Sequence, residues 1–463
     1  MGFGSAIFLF GFLPLCVLLF HLLPRVRGRQ VLLVLASLFF YAFGRLWDIP
    51  ILLASVLVHY IAGRLLLRKR SRLVVAVTAA LDLGLLIGCK YLGFFARALS
   101  LLPGVAVTVP ALPLPLGVSF FTFQGISYVV DAYRDPAQAS RRFFPVLQYL
   151  TFFPNLISGP LAPFQALQPM LARLERPGSP QTAAALCRFT AGLAKKLLLA
   201  GTLQTLTDGM FSLDAGALDL RTAWLGAVSY ALQLYLDFSG YSDMAVGLGG
   251  LFGVALPENF RYPYRAASIT DFWRRWHISL SGWFRDYLYI PLGGNRRGFG
   301  RTLRNKLAVF LATGLWHGAN WTFLVWGLWH GLFSMLETWE PRIRRKPRWY
   351  GHLYVLLVAV TGFVIFRADT LSQGFGVIRA MFTGVPLQAE STLALLRYGT
   401  NRAWAALVLG AAAAVNPLAG WWQRQKGRPG WRLAGYGAAL ALLLLCILAV
   451  AAGSFQPFLY QQF

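Results

Sequence analysis

Apolar runs of 17 residues or more recur from one end of this 463-residue chain to the other. Each is long enough to cross about 30 Å of hydrocarbon as a helix. Backbone inside lipid must satisfy its own polar groups, which leaves helices as the natural solution for runs of this length. The runs fall near 3–23, 31–47, 50–67, 73–95, 115–132, 143–160, 183–206, 223–250, 307–338, 350–367, 402–420 and 433–453. Charged residues make up 13% of the chain, against about 25% in soluble domains. The expected fold is an all-α polytopic membrane protein. The first run lacks a basic leader and a small-residue cleavage site, so it reads as a membrane helix and not as a signal peptide.

The 43 Lys and Arg outnumber the 17 Asp and Glu, for a net charge of +26. In a soluble chain that excess would point to nucleic acid; the apolar content excludes such a partner here. The basic residues cluster between the runs, at Arg25–Arg29, Arg68–Arg72, Arg134–Arg142, Arg342–Arg348 and Arg424–Arg428. This is the pattern that fixes cytoplasmic loops. With the N-terminus outside, the early loops alternate as they should: Arg25–Arg29 inside, Trp47–Pro50 outside, Arg68–Arg72 inside, Pro103–Pro115 outside and Arg134–Arg142 inside. Topology together with anionic lipid headgroups accounts for most of the excess. Cys16, Cys89, Cys187 and Cys446 are scattered, so neither a metal site nor a disulfide frame is expected. The stretch 386–401 is the longest late loop candidate.

The segment "LATGLWHGANWTFLVWGLWHG" (Leu311–Gly331) places two histidines in an otherwise apolar wall. Lys306 and Arg304 anchor its start at a polar surface. From Leu307 to His317 a helix rises about 15 Å, half the hydrocarbon thickness. "HGAN" then favours a break, and a second helix runs from Trp321 to about Trp339. His317 is therefore expected near mid-membrane beside an internal cavity, because non-helical backbone at that depth needs protein or water around it. A neutral histidine there is a competent general base; packing against a neighbouring helix is the plainer alternative. His330 lies 13 residues on, about 220° around the same axis, and reads as structural.

Three further groups carry polarity into apolar surroundings. "SITDFWRRWHISLSGWFRDYLYIPLGGNR" (Ser268–Arg296) is too polar to span. Ser268 to Asp271 resembles a capping box opening a short helix with Asp271, Arg274, Arg275 and Trp276, followed by His277. "YLDFSGYSDMAVGLG" (Tyr235–Gly249) buries Asp237 and Asp243, for which Arg274 or Arg275 is the expected partner. Gln124, Asp131 and Asn155 read as interhelical hydrogen-bonding groups. A serine nucleophile elbow, a phosphate-binding loop and a zinc-binding HExxH motif are all missing from the sequence.

The run "DFWRRWHISLSGWFRDYLYIPLGGNR", followed by "GLWHGANWTFLVWGLWHG", resembles the membrane-bound O-acyltransferase family. "FGSAIFLFGFLPL", "PLGVSFFTFQGISYVVDAYR", "TFFPNLISGP" and "YLDFSGYSDMAVGLGGLFGVALPENFRYPY" carry the likeness further, over roughly residues 1–370. The bacterial branch containing the alginate O-acetylation membrane protein is most similar, with the teichoic acid D-alanyl transfer protein more distant. The resemblance implies a ring of about 11–13 tilted and re-entrant helices around a central funnel or tunnel, in one domain spanning 1–463, with C-terminal helices at about 400–455. It maps the essential histidine to His317 and a second motif position, Asn in many members, to His277. Trp316, Asn320, Asp237, Asp271, Arg274, Arg275 and Trp276 are the substrate- or donor-binding candidates, and Arg296–Arg301 a further donor-steering loop.

The function so implied is O-acyl transfer in the bacterial inner membrane, without a bound cofactor. An acyl group, expected to be acetyl from acetyl-CoA or another activated donor, would pass to an exported cell-surface polysaccharide with a secreted or periplasmic partner acyltransferase. A transporter or flippase of an acyl or lipid-linked carrier, and a non-catalytic scaffold for a secreted transferase, are the alternatives.

Overall fold

The structure, a computed structural model, describes the chain except at residues 101, 103, 104, 106, 111, 341–348, 384, 385, 417–423, 426, 427, 454–457 and 460–463. The expected basic run Arg342, Arg344, Arg345, Lys346 and Arg348, and also Lys426, lie outside the described residues. Among the described residues all regular structure is helical. They group into two compact units, Met1–Phe189 with Met244–Glu258, and Thr190–Asp243 with Asn259–Leu459.

The first unit opens with a π turn, Phe8–Phe12, that leads into α1 (Leu13–Leu22). It continues through α2 (Val26–Ala42), α3 (Asp48–Arg68) and α4 (Arg72–Leu99, with a π turn at Ile87–Tyr91). Then come α5 (Val118–Arg134), α6 (Phe143–Thr151) and α7 (Phe164–Arg173). Phe8, Phe12, Phe40 and Phe153 form its aromatic core; Phe153 lies 5.5 Å from both Phe12 and Phe40. A polar tie joins α3 to α4. Fully buried His59 on α3 meets Asp82 of α4 through Nε2 at 3.0 Å, and the Ser55 carbonyl through Nδ1 at 2.7 Å. Helix α5 reaches this tie because Gly125 has no side chain; a Cβ there would stand 2.1 Å from His59 Nε2.

Helix α8 (Ser179–Ala194) passes through a π turn, Lys195–Ala200, into α9 (Gly201–Phe211). The 32-residue α10 (Leu220–Leu251) follows. Two seven-residue helices come next, α11 (Ile269–Arg275) and α12 (Ile278–Phe284), as expected for a block too polar to span. Then come α13 (Phe299–His317), α14 (Trp321–Trp339), α15 (Trp349–Arg367), α16 (Leu371–Phe382), α17 (Ala389–Tyr398), α18 (Asn401–Val415) and α19 (Pro429–Ala451). Helix α17 corrects the loop expected over 386–401. Ser391 is buried within it; its hydroxyl donates to the Ala217 carbonyl (2.7 Å) and accepts from Asp219 N–H (3.0 Å). Tertiary anchoring of one serine supports a helix that its polar sequence did not announce.

Among the described residues, four helices are long and apolar enough to cross a membrane: Asp48–Arg68, Arg72–Leu99, Trp349–Arg367 and Pro429–Ala451. These are fewer than the apolar runs, for identifiable reasons. The 143–160 run breaks at Phe152, which leaves helical geometry at φ −55° and ψ 107° ahead of Pro154. The 223–250 run lies inside a longer helix that buries two aspartates.

Replacing Gly125 with Ala is expected to displace His59 from Asp82 and lower stability by about 1–3 kcal/mol, as overpacking does. Thermal unfolding of the purified protein in detergent checks this; an unchanged midpoint would show that the His59 ring moves aside freely.

Candidate active site

Helices α13 and α14 form a hairpin whose backbones nearly touch. A Cβ on Gly314 would lie 2.3 Å from the Phe323 carbonyl oxygen, and one on Gly327 would lie 2.5 Å from that of Phe310. Lys306 cross-ties the other end, donating to the Ser334 carbonyl (3.0 Å) and to the Thr338 hydroxyl (2.6 Å). Half-buried Lys306 therefore braces the hairpin, beside an exposed Arg304.

His317 is the last residue of α13, and the expected break follows it. Gly318 is extended, and a Cβ on it would collide with the Phe323 ring at 2.2 Å. Asn320 restarts the helix: its Oδ1 accepts from Thr322 N–H (3.4 Å), while its Nδ2 donates to the Asp369 carbonyl (3.0 Å). The side chain of Asn320 is thus committed to shaping the turn. The His317 ring is buried, with Trp316, Phe366 and Trp326 edge-on at 4.9, 5.0 and 5.1 Å.

His277 joins α11 to α12. Its backbone is left-handed, φ 45° and ψ 54°, which is unusual for a residue with a Cβ. Asn259 holds it there. The Asn259 carbonyl accepts from Ile278 N–H (3.0 Å), and its Oδ1 accepts from Ser279 N–H (3.1 Å) and the Ser279 hydroxyl (3.0 Å). The same Oδ1 lies 3.2 Å from His277 Nδ1, so Nδ1 carries the proton and Nε2 is the basic nitrogen. Burial pushes this imidazole, outside the spanning helices, down to about 3, so the ring is neutral at ordinary pH. Trp316 connects the two histidines: its ring lies 6.0 Å from that of His277 and 4.9 Å from that of His317.

The remaining candidates separate. Ser268 caps α11 as expected, accepting from Asp271 N–H at 3.1 Å. Asp271 pairs with Arg275 at 2.9 Å, one helical turn away, and Arg274 is exposed. Trp276 is a core side chain, stacked on Phe272 at 5.5 Å and packed on Phe363 at 5.0 Å. The expected pairing of Asp237 and Asp243 with Arg274 or Arg275 is corrected. Asp237 bonds Lys196 and accepts from Leu459 N–H (3.0 Å), and Asp243 bonds Lys195 at 2.6 Å. The arginines sit on a short helix that is already satisfied locally, whereas the two lysines enter the apolar interior on the π turn after α8. Arg296 and Arg301 are exposed.

A family model described as MBOAT, membrane-bound O-acyltransferase family, matches residues 118–366, from α5 to the end of α15. The chain belongs to the membrane-bound O-acyltransferase family. It is an O-acyltransferase and a multi-pass membrane protein. The chain is similar to the probable alginate O-acetylase AlgI of Azotobacter vinelandii, at 36% identity over the full length of both. The corresponding Pseudomonas aeruginosa protein is 40% identical over 83% of this chain and 75% of its own. A peptidoglycan O-acetyltransferase of Helicobacter pylori is 35% identical over 82% of this chain and 79% of its own.

One residue that the sequence reading passed over, Glu337, shapes the surroundings of this family's motif histidines. Glu337, fully buried on α14, caps α11: its carboxylate accepts from the N–H groups of Ile269 and Thr270 (2.9 Å for the latter) and from the Thr270 hydroxyl at 2.6 Å. It ties the His317 hairpin to the helix that leads into His277. A glutamate inside the apolar run 307–338 was the available signal. His330, read as structural, is fully buried among Trp273, Trp326, Phe310 and Phe272, and neither of its ring nitrogens has a hydrogen-bond partner among the described residues.

Glu337→Ala is expected to cost about 1–3 kcal/mol and to lower turnover about tenfold or more with less effect on donor KM; Glu337→Gln, which keeps an acceptor, should recover much of it. Steady-state kinetics on membranes with matched protein levels decide this, and wild-type turnover in the alanine variant would remove the tether from the argument. His330→Phe is expected to keep activity and to raise the unfolding temperature, because an unsatisfied buried polar group costs about 1–3 kcal/mol.

Proposed function

We propose that this acyltransferase, as one catalytic domain in the bacterial inner membrane, passes an acetyl group from acetyl-CoA on the cytoplasmic side to hydroxyls of an exported cell-surface polysaccharide. The observation that carries the reading is the placement of His317 at a helix break, walled by aromatic rings, with His277 against the same Trp316. The printed functions of the similar proteins, alginate and peptidoglycan O-acetylation, supply the acyl group and the acceptor class. They do not favour a transporter or a scaffold.

In this reading His317 takes the proton from the attacking hydroxyl. The alkoxide oxygen bonds to the thioester carbonyl carbon, the carbon–sulfur bond breaks, and the thiolate leaves with a proton returned from His317. His277 orients the acyl group or steadies its oxyanion. A relay in which His317 itself carries the acyl group has the same overall balance. No bound cofactor is required. Trp316 would line the donor path, and the exposed Arg274, Arg296 and Arg301 would draw a phosphorylated donor to the cytoplasmic mouth of the tunnel that the family implies. Asp237, Asp271 and Asn320 are already engaged within the protein, which favours a supporting role for them. A secreted or periplasmic partner would complete delivery.

The test is O-acetyl content of surface polysaccharide in a deletion strain complemented with wild type or His317→Ala at matched membrane levels. Restoration by wild type alone is expected. Restoration by both would assign the chemistry to another site or to the partner.

A further inference from the structure

Away from the histidines, the first unit holds a cavity of about 460 Å³ lined by Arg27 and Gln30 of α2 and by Arg142, Phe144 and Gln148 at the start of α6. Its size falls within the range of small-ligand sites, about 300–1,000 Å³. None of its lining residues is acidic, and neither guanidinium makes an ion pair among the described residues. Two converging cations without a protein counter-ion suit a phosphate, which arginine binds through its forked donors.

Arg142 stands on a braced turn: Ser140 Oγ accepts from Arg142 N–H (3.2 Å) and donates to its carbonyl (2.9 Å), and Ser140 N–H donates to Tyr128 Oη (3.0 Å). The amides of Gln30 and Gln148 both donate to the Leu171 carbonyl at the end of α7 (3.2 Å each), closing the cavity floor.

The cavity wall also says which phosphate. Val31, at its rim, begins an exposed apolar stripe on α2 that continues through Leu35, Phe39 and Phe43 at four-residue intervals. From Val31 to Phe43 the stripe rises about 18 Å, comparable to the depth of one leaflet's hydrocarbon, about 15 Å. A charged pocket opening onto an apolar lane of that length matches a phospholipid, headgroup in the pocket and acyl chains along the stripe. Arg27 and Arg142 belong to the basic clusters Arg25–Arg29 and Arg134–Arg142, which the charge pattern assigns to the cytoplasmic face, where anionic lipids concentrate.

We propose that this pocket is a binding site for the phosphate headgroup of an anionic phospholipid. The experiment is native mass spectrometry of the full-length protein titrated with phosphatidylglycerol or phosphatidylcholine. Wild type is compared with Arg27→Gln/Arg142→Gln, and with Arg68→Gln/Arg70→Gln, which removes the same charge elsewhere. The pocket variant is expected to lose about tenfold in phosphatidylglycerol affinity, while the control variant and phosphatidylcholine binding stay unchanged. Equal losses in both variants would reduce the effect to general surface charge and overturn the site. A separate arm titrates inorganic phosphate: occupancy by phosphate without any preference for phosphatidylglycerol would overturn the lipid assignment. Both variants change exposed side chains, and a monodisperse elution profile confirms that they fold.

Discussion

The close approach of α13 and α14 is the contact on which the surroundings of His317 depend. Gly314 and Gly327 remove the side chains that would hold the two backbones apart, and the Lys306 tie closes the far end. A hairpin this tight can stop after His317 and resume at Trp321 without losing its alignment. The break puts an imidazole at a helix end, walled by Trp316, Trp326 and Phe366. Backbone that leaves helical geometry in a membrane protein is tolerated where protein surrounds it, and Asn320 supplies part of that support by bonding both to the next helix and to the Asp369 carbonyl.

His277 shows the complementary device. A residue with a Cβ held in left-handed geometry costs on the order of 1–3 kcal/mol and persists only where its neighbours over-determine it. Asn259 does so through its backbone carbonyl and its side-chain oxygen, which together engage three successive residues. The strain aims the ring at Phe238 (4.6 Å) and Trp316 and fixes which nitrogen carries the proton. Glu337 then links the two devices, because its carboxylate replaces the missing helical acceptors at the start of α11. Backbone held by these hydrogen bonds and helix ends therefore sets the orientation of both rings.

The helical class, the break after His317, the non-spanning block over Ser268–Arg296 and the cap at Ser268 were legible because each depends on neighbours within a few residues. Apolar period, Gly-Ala-Asn and a serine before a helix are local signals. Glu337, Asn259 and the lysine partners of Asp237 and Asp243 were not legible as such. Each acts on residues 18 to 68 positions away, and one sequence gives charges without distances. Proximity in the chain favoured Arg274 and Arg275 for the aspartates, but Asp271 already holds Arg275 at one turn's spacing. Helix α17 was missed for the same reason, since it is docked by Ser391 onto residues about 170 positions earlier.

The lysine–aspartate pairs explain why such distant contacts are kept at all. A buried ion pair contributes little net stability, because desolvation offsets the attraction. Removing one partner is another matter: it leaves an uncompensated charge and costs about 3–5 kcal/mol. Lys196 and Asp237 are both almost fully buried, and Lys195 with Asp243 repeats the arrangement nearby on the same two segments. Sliding α10 along the π turn by one residue would break both pairs at once. The pairs therefore act as a register lock, and the backbone of α10 is positioned by it. Phe238, which packs edge-on against His277, follows Asp237 directly in sequence. A slip of the lock would move that ring away from the imidazole, so charges that never reach the histidine still decide what it rests against.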